Sequence, residues 1–160
     1  KKLNELSDSD YYVGYITFDK VMTYDELVRW SKASGITPDW CAVCEKQDKD
    51  TYNASNIIGF NYLSGSTEKK YDNESFPENS FSAEVMETHM KSMLEYMVDN
   101  NDFCRMVGSH LSEDQLLQLK ASIEEYGLNI YGFVITAQKD TLIEISHNEN
   151  VSYIYTSPLR

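Results

Sequence analysis

The chain is short of positive charge, of cysteine and of long apolar runs, and each shortage excludes something. Only 14 of its 160 residues are Lys or Arg, against 26 Asp or Glu, giving a formal net charge of -12. Such a surface repels phosphate backbones and anionic headgroups, so nucleic-acid binding and electrostatic membrane docking are disfavoured. No run of 18 apolar residues occurs, so no transmembrane helix lies within these residues. Lys1 to Glu5 lead straight into polar sequence, which is no signal peptide. With no initiator Met, the sequence is expected to be a piece of a longer protein, any anchor lying before Lys1.

Three cysteines leave at least one unpaired. Cys41 and Cys44 have the C-x-x-C spacing of redox and metal motifs. On a strand, residues three apart point to opposite faces, which suits neither a bridge nor chelation. A zinc site would need two more ligands, and His89, His110 and His147 are isolated. Structural thiols are expected, with a bridge from Cys104 to Cys41 or Cys44 as the alternative in an oxidising compartment. The seven glycines are scattered and form no phosphate-cradling loop.

What is present reads as an ordinary core. At 41% hydrophobic and 25% charged, the chain can bury a core as one domain, residues 11–160 after a loose polar lead-in over 1–10. Tyr11 to Asp19 is rich in β-formers. Thr23 with Glu26 makes a capping box before a helix with Tyr24, Leu27, Val28 and Ser31 on one face, stopped at Gly35. A strand from Asp39 to Glu45 follows, then a polar turn-like stretch over 47–56 and a short strand over Ile57–Phe60, a hairpin pair. Residues 61–80 have the composition of a long surface loop. A helix over Ser82–Asp99 aligns Met86, Met90, Met93 and Met97, a shorter one covers Asp102–Val107, and Ser112 with Gln115 caps a third that ends at Gly127. Ile130 to Thr136 is apolar on both faces, as expected of a central strand covered on both sides. A polar turn, a helix near 140–146 and a strand over Val151–Thr156 close the chain. The order β-α-β-β-α-α-α-β-α-β predicts an α/β domain, in detail an α+β sandwich with a mixed sheet of about five strands and helices packed on it.

No constellation for chemistry stands out, so no catalytic, metal, cofactor-binding or partner-binding residue is assigned. Ser109 beside His110 lacks a G-x-S-x-G elbow and a preceding strand. Glu124 with Glu125, and Asp48 with Asp50, read as solvated carboxylates, and Asp72, Asn73 and Glu74 lack an alternating calcium loop. The methionine face reads as core, or else as an adaptable peptide groove. Tyr11, Tyr12, Tyr15, Tyr62, Tyr71, Tyr131, Tyr153 and Tyr155 lie on or beside strands. They suit half-buried faces, or an exposed aromatic sheet for peptide or glycan.

Five segments in order resemble one known family. They are Tyr15-Ile-Thr-Phe-Asp-Lys20, Tyr24-Asp-Glu-Leu27, Trp40-Cys-Ala-Val43, Gly59-Phe60 and Ile130-Tyr-Gly-Phe-Val-Ile-Thr136 with Leu142. Together they resemble the C-terminal domain of membrane-bound anti-sigma factors of Gram-positive bacteria, the sigma factor regulator C-terminal family. Ala137 and Asn61 depart from that pattern, where the family has a second glycine and commonly Pro or Tyr. The resemblance implies a non-enzymatic extracytoplasmic regulatory domain in signal transduction, tethered by a transmembrane helix outside this sequence. It implies a sigma factor as partner, held by a cytoplasmic segment also outside it, and an envelope protein or small ligand as the signal. The family carries no catalytic or cofactor residues to transfer. The rival readings are a secreted or lipid-anchored envelope binding module with a tyrosine-rich face, and an enzyme of unrecognised type.

Overall fold

The computed structural model describes residues 3–62 and 82–159. In chain order these form β1 (Tyr11–Thr23), α1 (Tyr24–Ser34), β2 (Trp40–Val43), β3 (Glu45–Lys46), β4 (Tyr52–Asn53), β5 (Gly59–Asn61), α2 (Ala83–Asp99), α3 (Asn101–Met106), α4 (Glu113–Tyr126), β6 (Asn129–Gln138), α5 (Lys139–Ser146) and β7 (Val151–Pro158). The chain divides into two compact units, residues 1–42 with 59–62 and 130–160, and residues 43–58 with 63–129.

The first unit holds a five-stranded sheet ordered β5-β2-β6-β1-β7. β1 pairs antiparallel with β7, and β2 with β5. β6 is antiparallel to both neighbours. The Asp39 N–H donates to the Val134 carbonyl on one side, and on the other Gly132 lies against Ile16 and Thr17 while Ile135 lies beside Gly14. Hence β1 parallels β2 and β6 parallels β7, each pair joined by a helix and straddling one intervening strand. This is the split β-α-β pattern. The α+β architecture and five-strand sheet match the expectation from sequence.

Both crossover helices cover the same face. Trp30 of α1 meets Phe18 edge to face at 5.1 Å and Phe133 at 5.3 Å, and Phe18 and Phe133 lie 5.4 Å apart. Leu142 of α5 lies over Gly14, where a Cβ would come within 2.8 Å of it. Tyr12, Gly14, Ile16 and Phe18 of β1 and Phe133, Ile135 and Ala137 of β6 therefore form the covered face. The expected coverage of both faces of β6 holds only at its start: Ile130, on the same face as Val134, is buried, whereas Val134 is half-buried and Thr136 is exposed. Gly132 permits the close approach of β1, since a Cβ there would run into the Ile16 carbonyl.

Thr23 and Glu26 form the expected capping box and Gly35 stops α1 at φ 71°. The turn expected before α5 is absent: β6 runs to Gln138 and the helix begins at Lys139. Ahead of β1 the chain is docked, not loose. Leu6 is buried, Lys139 Nζ sits 2.8 Å from Asp8 Oδ1, and the Ser7 N–H donates to the Tyr12 hydroxyl at 2.9 Å.

In the second unit α2 and α4 pack together, with Met86, Met90 and Leu94 of one and Leu116, Leu119 and Ile123 of the other buried. Ser112 and Gln115 form the second expected capping box, and Gly127 ends α4 at φ 72°. The strand expected through Glu45 breaks at Cys44, and the polar stretch after it folds into the ribbon β3–β4. Ser122 of α4 clamps that ribbon, its hydroxyl accepting from Lys46 N–H at 2.8 Å and donating to the Lys46 carbonyl at 2.9 Å. The loop expected over 61–80 lies outside the described residues beyond Tyr62, as do Tyr71, Asp72, Asn73 and Glu74.

Candidate interaction surfaces

Among the described residues, Asp48, Glu124 and the three thiols serve the structure. Asp48 closes a turn: its carboxylate accepts from the N–H groups of Asp50 at 3.0 Å and Thr51 at 2.9 Å, and from the Thr51 hydroxyl at 2.9 Å. The Asp50 amide leads the bonds that hold its pKa below the ordinary value. Glu124 is held low by Lys120, whose Nζ lies 2.8 Å from its carboxylate and 3.2 Å from that of Glu95. Pairs this exposed contribute little stability. Cys41, Cys44 and Cys104 are all free and buried. Burial pushes the Cys41 thiol far up and the Cys44 thiol to about 11, so neither is a ready nucleophile. Among the described residues no three His, Cys, Asp or Glu side chains gather to hold a metal.

Among the described residues, two surfaces stand out. In the second unit a cleft of about 460 Å³ opens between the chain before β5 and the turn joining α3 to α4. Ile57, Ile58, Met97, Ser109, His110 and Leu111 line it. The Ser109 hydroxyl accepts from the Leu111 N–H at 3.4 Å, as a turn residue does, and no carboxylate in the lining orients His110. The cleft is suited to holding a ligand of mixed polarity, not to acyl transfer. Met97 reaches it from the end of the methionine face, whose Met86 and Met90 are core and whose Met93 is half-buried. No local signal marks it, because its two sides lie some fifty residues apart in sequence.

The second surface is the sheet face of the first unit that α1 and α5 leave open. Tyr11, Tyr15, Tyr153 and Tyr155 lie on it, 45–61% exposed, and the rings of Tyr15 and Tyr155 stand 5.9 Å apart. Tyr12, of opposite parity on β1, is buried, and Tyr62 is buried as well. Residues 11–18 and 151–158 contain no Asp, Glu, Lys or Arg. In a chain one-quarter charged, sixteen positions would be expected to hold about four charges, so this band is unusually neutral.

No helix among the described residues is long and apolar enough to cross a membrane. No curated protein and no solved structure matches the chain. Residues 3–155 match the sigma factor regulator C-terminal family, a span that takes in every segment quoted above for the resemblance. The chain belongs to the sigma factor regulator C-terminal family.

Proposed function

We propose that this chain is the extracytoplasmic regulatory part of a membrane-tethered anti-sigma factor. Residues 11–160 would act as one regulatory domain, with residues 1–10 leading in from an anchor upstream. The family match over residues 3–155 carries this reading. The side chains are compatible with it: Asp48 serves a turn, Glu124 an ion pair and the three thiols the core. The domain regulates by binding. A ligand or envelope protein that prefers one of two states of the domain shifts release of a sigma factor held on the far side of the membrane.

The test uses the full-length protein. An apolar span of about 20 residues is expected upstream of Lys1. Protease added to intact cells should cut within residues 11–160, and a sigma factor should co-purify with the protein. Deleting residues 11–160 should change transcription from that sigma factor's promoters while leaving the co-purification intact. A protein without the span, or one shielded from external protease, or one that retains no sigma factor, overturns the proposal. A second reading, an envelope binding module for peptide or glycan, draws on the exposed tyrosines. Retention of the sigma factor separates the two.

A further inference from the structure

Ahead of β1, three consecutive residues are each held by a different force. Leu6 is 6% exposed, the one buried side chain of residues 3–10, and the turn Leu3–Glu5 before it lies against α5. The Ser7 N–H donates at 2.9 Å to the hydroxyl of Tyr12, itself buried on the covered face of the sheet. Asp8 Oδ1 sits 2.8 Å from Nζ of Lys139, the first residue of α5. That helix starts without a side-chain cap bond at Gln138. The Asp8 carboxylate therefore brings negative charge to the end where a helix dipole favours it.

These holds can open without unfolding the sheet. One apolar side chain, one amide bond and one ion pair whose Asp8 side is 82% exposed are weak beside the packed rings of Phe18, Trp30 and Phe133. Lying on neighbouring residues, the three holds form and break together. Segments of such low local stability are the ones that move when a protein changes state.

We propose that residues 3–10 are a strap that couples the state of the first unit to the membrane anchor. This rests on the reading above, in which the chain comes from an anchor upstream of Lys1 and enters the domain through these residues. Docked, the strap fixes the direction in which the chain leaves the fold. Released, its eight residues become a loose tether reaching about 25 Å, and the orientation of the domain no longer reaches the anchor. The lever is α5, which joins β6 to β7 and lays Leu142 over Gly14. A bound partner that shifts α5 carries Lys139 away from Asp8 and opens the strap.

Two experiments test the strap separately from the anti-sigma reading. Amide hydrogen exchange of the 160-residue chain reads the docking itself, and the Ser7 amide should exchange well below the free-peptide rate. Leu6→Ser should speed that exchange about tenfold or more, the cost of losing a buried Leu side chain. Asp8→Lys should speed it about twofold to fivefold, and less at about 0.5 M salt than at about 0.05 M. The amides of β6 should keep their protection in both variants, which shows that the sheet stays folded.

The second experiment uses the full-length protein in cells. Leu6→Ser and Asp8→Lys should each shift transcription from the sigma factor's promoters in the same direction as deleting residues 11–160. Asp8→Lys combined with Lys139→Asp should restore the parent level. A purely structural role would leave transcription unmoved while β6 stays protected. A Ser7 amide that exchanges at the free-peptide rate overturns the strap. So does parent-level transcription in Leu6→Ser where the deletion does change it. A deletion without effect instead overturns the anti-sigma reading, and the strap falls with it.

Discussion

Phe133→Ala puts the core of the first unit to its hardest test. The ring is 2% exposed and closes a triangle with two others, 5.4 Å from Phe18 and 5.3 Å from Trp30. Truncation removes one corner of that triangle, and Phe18 and Trp30 cannot fill the space without leaving their own edge-to-face contact at 5.1 Å. Deleting a buried Phe ring costs about 3–5 kcal/mol, within which each lost aromatic pair accounts for about 0.5–1.5 kcal/mol. Against a total stability of about 5–15 kcal/mol, that is a large fraction. Phe133→Leu keeps most of the volume and loses the ring geometry, so about 1–2 kcal/mol is expected. Val134→Ala acts on the half-buried opposite face and should cost about 1 kcal/mol or less. Urea unfolding followed by tryptophan fluorescence measures all three, with unchanged m-values as the check on two-state behaviour. A Phe133→Ala loss under about 0.5 kcal/mol would refute the reasoning. So would a Val134→Ala loss that exceeds it.

Two further outcomes follow from the same geometry. Gly132→Ala should destabilise by about 1–3 kcal/mol or more, because its Cβ would strike the backbone carbonyl of Ile16. Gly14→Ala should cost less, since its Cβ meets the movable end of Leu142, and thermal unfolding of the pair should rank them in that order. Above pH 9 the thiols enter: the Cys44 pKa rises from the ordinary 9.0 to about 11 in the fold. The unfolded chain therefore loses this proton first, and stability falls as pH rises through that window. Stability measured from pH 8 to 11 should drop less steeply in Cys44→Ala than in the parent, and identical slopes would count against a buried thiol.

Local signals were legible where the partner lies within a few residues. Thr23 with Glu26 and Ser112 with Gln115 cap their helices because N-cap and N3 satisfy each other across one turn. Gly35 and Gly127 end them because a positive φ favours glycine. The element order follows from these stops and from β-rich runs, and it gave the five-stranded α+β sheet correctly. The ribbon β3–β4 leaves no mark in the sequence because two residues per strand carry no period, and a serine 76 positions away holds it. Trp30 escaped as a core residue although it lies three positions after Leu27. Asp39 also escaped: exposed and polar, it accepts from the Thr136 N–H at 2.6 Å across 97 residues and pins β2 to β6. No reading of neighbours along the chain could find that partner.

The open tyrosine face shows a subtler limit. Alternation along Tyr11 to Phe18 and Val151 to Pro158 tells that two faces exist, but one strand alone cannot say which of them the helices cover. That choice is made by Phe18, Trp30 and Phe133, which meet only after β6 is inserted between β2 and β1. Once they meet, Tyr12 must be buried, with its hydroxyl satisfied by the Ser7 N–H, and Tyr11 and Tyr15 must face outward. The same residue type thus serves as core and as surface on one strand, separated by parity. The lack of charge in 11–18 and in 151–158 is visible in the sequence as two unrelated gaps. It becomes one neutral band only because β1 and β7 are sheet neighbours.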